Sequence, residues 1–427
     1  MGPDRFVFAH LADAHVGAWP RDPAVRSALR ESLLSALRVA EERNAEFLLI
    51  SGDLFHTPVP DPGEVAPVTA ALRRFVDQGR RIYVIYGSHD YVAHRTSWLD
   101  VLAETGVFLK VAPEAVRSEG TRWSLPFLVD EPTGVRIAGI SGRSHGLDRE
   151  YFRAVDSEAF RAEPGFKVFQ FHAAVEEYLP ESLREHIHGI RRDDLPVGCD
   201  YYAGGHIHYT YTGEGPGGGL LVNPGAVFGT SRTDLENGQE GRTHQGVVIV
   251  TVEGGRPRAE FVDTAPRGTV HLVDVDVSGK TAEEARSELE RRLSAEGQHG
   301  ALLFPRVHGT LADGTLASLA LTQLARRRGP EAGTVHWDVR DLAPASEEGA
   351  GVTSESEVET EEVRRLLAES AMGRSWLEGP EGERRVRELL RELGQPKAEG
   401  ESRQDYANAR LGSARRLIDV RLERAGD

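Results

Sequence analysis

The chain has 427 residues, with 51 Lys and Arg against 67 Asp and Glu, a formal charge of −16, and a hydrophobic fraction of 39%. At roughly 100–200 residues per domain this is a globular chain of two or three domains, and its acidity excludes a protein that coats nucleic acid by bulk charge alone. Cys199 is the only cysteine, which excludes an intrachain disulfide and a cysteine-based zinc cage.

In chain order, residues 6–12 form a short apolar run of the buried-strand kind. Residues 22–43 carry Val25, Leu29, Leu33, Leu37 and Ala40 at spacings of three and four, which places them on one helix face. Strands follow at 46–51 and 82–86, with a helix between them at 62–76, opened by Asp61 and Pro62. Further strands are expected at 135–140, 167–171, 201–203 and 220–222. A hairpin is expected from 246–252 and 256–263, joined at Glu253-Gly254-Gly255. Strands alternating with helices imply a layered α/β domain over 1–265, with loops at strand ends free to build a site.

The pattern changes near Ala265-Pro266. Strands at 270–277, 301–308 and 334–339 and helices at 281–295 and 314–327 make a small α/β capping domain over 266–343. Residues 344–356 are acidic and rich in Ser and Gly, and read as a linker. Residues 357–427 read as helical, and in the last helix Leu411, Ala414, Ile418 and Leu422 share one face. That face must be buried on its own chain or on a partner. No window of about 18 uncharged apolar residues is present. The opening residues lack the cationic start and apolar run of a secretory signal, so a cytoplasmic location without membrane contact is expected.

The chemistry lies where these strands end. Asp13-Ala14-His15, Ser51-Gly52-Asp53, Gly87-Ser88-His89-Asp90, His172 and Gly205-His206-Ile207-His208 each follow an apolar strand. Strand alternation predicts that Asp13 and His15 face one side, and likewise His206 and His208. Aspartates and histidines without a thiol form a nitrogen and oxygen donor set suited to Mn²⁺, Fe²⁺ or Zn²⁺ rather than Ca²⁺ or Mg²⁺. The donors are too many for one ion with open positions. Two ions about 3.5–4 Å apart could share a carboxylate, activate a water and stabilise both the attacking and leaving oxygens of a phosphate ester. His10 and His56 are expected to support the site or the core. Arg21, Arg95, Arg143 and Arg232 are expected to be solvated loop charges, with DNA-backbone contact as the alternative.

In that order these motifs resemble the calcineurin-like metallophosphoesterase superfamily, and within it the DNA double-strand-break repair nuclease branch. That branch holds the SbcD exonuclease subunit, its archaeal and eukaryotic counterparts and the YhaO-type proteins. The specific marks are GDLFH (52–56), GSHD (87–90), GHIH (205–208) and NPGA (223–226), and the likeness covers residues 5–265. The resemblance implies a two-sheet sandwich and two metal ions, Mn²⁺ with Fe²⁺ or Zn²⁺ as alternatives. Metal one would be held by Asp13, His15, Asp53 and His208. Metal two would be held by Asp53, His172, His206 and the residue at position 88. His89 would contact the scissile phosphate, with Asp90 orienting it. The family usually has Asn at position 88; Ser88 is a shorter and poorer ligand, so a weaker second site is expected. The resemblance also implies a DNA substrate, an SMC-like ATPase partner docked on the C-terminal helices, and a homodimer. The chain has no GxxxxGK[ST] motif, so ATP dependence would come from that partner. The alternatives are a phosphoesterase for a small diester or monoester and a scaffold with a decayed centre.

Overall fold

The computed structural model describes residues 3–344, apart from 21, 92–95, 112–115, 118–122, 143–147, 185–186, 188, 267–269, 297–300 and 328–333. The expected linker, save its first residue, and the expected C-terminal helices lie outside the described residues. So do Arg21, Arg95 and Arg143.

The chain runs β1 (Arg5–Leu11), α1 (Pro23–Glu42), β2 (Phe47–Ser51), α2 (Pro62–Asp77), β3 (Arg81–Ile85), α3 (Trp98–Glu104) and β4 (Leu109–Lys110). An antiparallel pair follows, β5 (Val116–Arg117) and β6 (Trp123–Ser124). Then come β7 (Leu128–Asp130), β8 (Val135–Ile140), α4 (Asp148–Arg153), α5 (Ser157–Ala162), β9 (Lys167–Phe171) and α6 (Glu181–Arg184). The sandwich closes with β10 (Tyr201–Ala203), β11 (Tyr211–Glu214), β12 (Leu220–Asn223), α7 (Arg232–Gln239), β13 (Gly246–Glu253) and β14 (Arg256–Asp263). Each strand expected before residue 265 is present within a residue or so.

Among the described residues these strands form two six-stranded sheets, ordered β14-β13-β1-β2-β3-β4 and β11-β12-β10-β9-β8-β7. In the first, β1 to β4 are parallel and β13 pairs antiparallel with β1. In the second, β8, β9, β10 and β12 are parallel. The strands read as unbroken apolar runs because both faces are covered. Phe6, Phe8, Phe47, Leu49, Tyr83 and Ile85 point into the layer between the sheets, where they meet Ile137, Val168, Tyr201 and Val222. The alternate residues, Ala9, Leu11, Leu48, Ile50, Ile82 and Val84, pack against Leu29 and Leu33 of α1 and Leu72 and Phe75 of α2. This is the expected α/β sandwich, and its parallel strands deliver their C-terminal ends to one edge.

His10 follows Phe6 and Phe8 on the inter-sheet face and is fully buried. Its Nδ1 lies 2.9 Å from the Tyr201 hydroxyl, and its Nε2 lies 3.0 Å from the Ser51 hydroxyl and from the Gly204 carbonyl. The ring therefore ties the two sheets together just beneath the site. Burial lowers its pKa to about 3. A neutral buried imidazole with a depressed pKa contributes stability above its unfolded value of about 6.5, and loses it as the pH falls toward the folded value. Chemical denaturation at pH 6.5 and pH 5 should show wild type losing about 2 kcal/mol more than His10→Gln; equal losses would contradict this.

Beyond β14 come β15 (Val270–Asp276), α8 (Ala282–Ala295), β16 (Leu302–Thr310), α9 (Leu321–Arg327), β17 (Thr334–Val335) and β18 (Leu342–Ala343). Strand β16 is central and parallel to the other three. The helix expected over 314–327 is broken instead. Leu316–Leu319 is a 3₁₀ turn, Ala320 has φ 49°, and only then does α9 begin. Leu319 before the break and Leu324 after it both enter the small core with Val275, Leu289 and Val307. The strand expected over 334–339 shrinks to β17 and a single bridge at Asp338.

The β15–β18 sheet packs on the sandwich through Phe304, whose ring lies 5.5 Å from Trp19, and residues 3–344 belong to one compact unit. Arg232 lies in this contact. It is buried, its Nε is 3.0 Å from Glu236, and it donates to the Phe304 carbonyl. It is buried rather than a solvated loop charge, with its two terminal nitrogens turned to Phe304 and Asp274.

Candidate metal centre

The site forms where β1, β2, β3, β9 and β10 end. The loops after β1 and β2 are laced together: the amides of Asp13, His15 and Val16 donate to the carbonyls of Gly52, Asp53 and Leu54 at 3.1, 2.9 and 2.9 Å. Asp13, His15, Asp53 and His206 all have left-handed backbones, with φ of 52, 45, 52 and 93°. Non-glycine residues rarely hold this conformation, and it concentrates at functional sites. Close packing leaves no room for side chains behind them. A Cβ on Gly52 would collide with the His172 ring, and one on Gly87 with the Asp53 carboxylate.

Asp53 lies at the centre. Its Oδ1 accepts the His89 amide at 2.8 Å. Its Oδ2 lies 3.3 Å from His172 Nε2, 3.8 Å from His15 Nε2 and 3.4 Å from the Ser88 hydroxyl. Asp13 Oδ2 accepts the His206 amide at 2.9 Å. His15 and His208 bring their Nε2 atoms within 3.0 Å of one another, and the His172 and His206 rings are 5.0 Å apart. Among the described residues three groups have donor atoms close enough to share a cation: Asp13, His15 and His208; Asp13, Asp53 and His172; and His15, His56 and His89.

Burial and the neighbouring charges shift these groups strongly. Burial raises Asp13 to about 6 and pushes His15 well below its usual range. Burial also works to lower His172, but Asp53 outweighs it and carries the imidazole to about 10. His172 Nδ1 bonds the Ser51 carbonyl at 2.8 Å, which makes that nitrogen the donor. Its Nε2 is buried and makes no well-aligned hydrogen bond, with Asp53 Oδ2 3.3 Å away. A buried polar atom without a well-aligned bond is costly, and a cation bound beside Asp53 would satisfy it. The donor set and this nitrogen therefore suit a divalent transition ion.

Residues 6–210 match the family model of the calcineurin-like phosphoesterases. These residues are similar to the calcineurin-like phosphoesterase domain. Such domains belong to metal-dependent phosphoesterases, and the family implies a dimetal site. The chain is also similar to three archaeal proteins described as DNA double-strand break repair protein Mre11. It is 25% identical to that of Archaeoglobus fulgidus over 69% of this chain and 67% of the relative. It is 26% identical to that of Methanopyrus kandleri over 67% and 62%, and 26% identical to that of Methanococcus maripaludis over 47% and 51%. The chain thus spans between about half and two thirds of the length of these relatives.

Within the matched residues, all the expected ligand positions come together, but not by strand alternation. Asp13, His15 and His206 sit in left-handed loops, so their directions follow from backbone turns. His206 lies beside His172 and His208 beside His15, so the two do not act as a same-face pair. Asp90 does not orient His89. Its buried carboxylate accepts the amides of Phe55, Leu54 and Gly87 at 3.0, 3.2 and 3.2 Å, clamping the loops after β2 and β3. Burial, with Asp53 nearby, raises it to about 7. His89 is exposed and bonds the His56 carbonyl through Nδ1 at 2.9 Å. The half-buried His56 ring stacks on His89 at 5.1 Å. One residue was not foreseen: Asp234, whose Oδ2 lies 3.0 Å from His208 Nδ1. Its only sequence signal is the capping pattern Ser231-x-x-Asp234 at the start of α7.

No helix among the described residues is long and apolar enough to cross a membrane.

Proposed function

We propose that the protein is a dimetal DNA nuclease that hydrolyses phosphodiester bonds. The observation that carries this reading is the convergence of side chains from five strand ends around Asp13 and Asp53. Asp13, His15, Asp53 and His208 would hold one ion. Asp53, His172, His206 and Ser88 would hold the other, and the set suits Mn²⁺, with Fe²⁺ or Zn²⁺ as alternatives. When bound, two such cations lower the pKa of a water and stabilise both the attacking and leaving oxygens. Asp53 would be shared by the two ions, and the Ser51 carbonyl fixes the His172 tautomer. Asp90 holds the loops that carry Asp53 and His89 in register. His89, anchored through Nδ1, keeps Nε2 free to contact the scissile phosphate and, when cationic, to protonate the leaving oxygen.

The DNA substrate is supported by the names of the similar archaeal proteins and by the break-repair motifs. On the same grounds the protein works in DNA repair; its action as a cytoplasmic homodimer, with an SMC-like ATPase bound to residues 357–427, is what the family resemblance implies. Digestion of end-labelled duplex DNA in Mn²⁺ tests the nuclease reading. Nucleotide release that stops with a chelator is expected. Hydrolysis of an aryl phosphodiester with no cutting of duplex or single-stranded DNA would point to a small substrate instead. Loss of both activities with metal bound would point to a scaffold.

Ser88 offers one neutral oxygen 3.4 Å from Asp53. Calorimetric titration of Mn²⁺ should therefore resolve a tight site and a weaker one. Ser88→Asn should raise the affinity of the weaker site by about 10-fold and increase activity at limiting metal. Two sites of equal tightness in the wild type would contradict this.

A further inference from the structure

We propose that Asp234 is a positioning residue of the metal centre, holding the His208 ring so that Nε2 rather than Nδ1 faces the cation. The proposal rests on the dimetal reading. The Asp234 Oδ2 atom lies 3.0 Å from His208 Nδ1, and the opposite nitrogen, Nε2, lies 3.0 Å from His15 Nε2. A ring anchored through Nδ1 has one tautomer and one orientation to offer a metal, and such partners raise ligand basicity.

The anchor is itself fixed. Asp234 Oδ2 also accepts the Thr230 amide, the Thr230 hydroxyl and the Ser231 amide at 3.0, 3.1 and 3.0 Å. The Asp234 amide donates to the Ser231 hydroxyl at 3.1 Å, which completes a capping box. The Asp234 carbonyl accepts from Gln245 at 3.0 Å. Helix α7 is held at its first residue by Arg232, which is buried and bonded to the Phe304 carbonyl. A capping box needs only the bonds to the N-cap residue. The further bond to His208 links this helix end to the site. Burial works to raise the Asp234 carboxyl, but the His208 bond outweighs it and carries it down to about 2.

The test is calorimetric titration of Mn²⁺ into the metal-free full chain as wild type, Asp234→Asn, His208→Ala and the double variant. Asn keeps an acceptor oxygen for the helix cap but removes the charge. Asp234→Asn should weaken one of the two sites by about 10–100-fold, with the melting temperature of the metal-free protein unchanged within about 2 °C. In the His208→Ala background the same change should have no further effect. The proposal is overturned if Asp234→Asn binds Mn²⁺ as the wild type does, or if its loss persists without His208. A wild type that takes up no Mn²⁺ overturns the dimetal reading, and this proposal with it. If Asp234→Asn does not fold, nitrogen-15 spectra of histidine-labelled, Cd²⁺-loaded wild type decide. The proposal expects a proton on His208 Nδ1 and cadmium coupling at Nε2; the reverse pattern refutes it.

Discussion

Asp53→Asn is expected to lower phosphodiester hydrolysis by at least about 10³-fold, the largest effect of any single replacement in this protein. Asn has nearly the same size and still offers an oxygen to the His89 amide, which Asp53 accepts at 2.8 Å. The loops after β2 and β3 should therefore keep their packing. What disappears is the negative charge that lies 3.3 Å from His172 Nε2 and 3.8 Å from His15 Nε2. Without it Asp13 is the only carboxylate left among these donors, and Mn²⁺ uptake should fall from two equivalents to one or none. Parallel rate and stoichiometry measurements check this. A folded Asp53→Asn protein with full metal content and full activity would contradict it.

His89→Ala should act differently. The side chain is exposed, and its bond is to the His56 carbonyl. Its removal should leave both metal sites loaded and lower kcat by about 10²–10⁴-fold, the usual range for a lost general acid. The loss should depend on the leaving group. A sugar hydroxyl leaves poorly and needs the proton, whereas nitrophenolate leaves well without it. DNA hydrolysis should therefore fall much further than hydrolysis of a bis-nitrophenyl phosphate. Equal losses on both substrates, or a loss of bound Mn²⁺, would remove His89 from this role.

The sandwich was legible because β1, β2 and β3 are buried on both faces, so their apolar runs stand out against the amphipathic spacing of α1 and α2. The short edge strands β4, β7 and β11 were not, since two to four residues carry no period. The ligands were legible as residue types just past strand ends, but the reason for their convergence was not. It lies in left-handed backbone at Asp13, His15, Asp53 and His206, which no alternation rule describes. Asp90 was placed on its neighbour His89 by proximity in the chain. In the fold its carboxylate turns inward to backbone amides of the β2 loop, more than thirty residues away. Asp234 reaches His208 across 26 residues, and Arg232 reaches Phe304 across 72. Contacts that depend on how two loops or two sheets meet leave no local pattern.

The central claim is that two cations sit astride Asp53, and anomalous diffraction from Mn²⁺-soaked crystals tests it most directly. Two peaks are expected, one among Asp13, His15 and His208 and one beside His172 and His206, with the Asp53 carboxylate between them. Peaks elsewhere, or none at saturating Mn²⁺, would contradict the account.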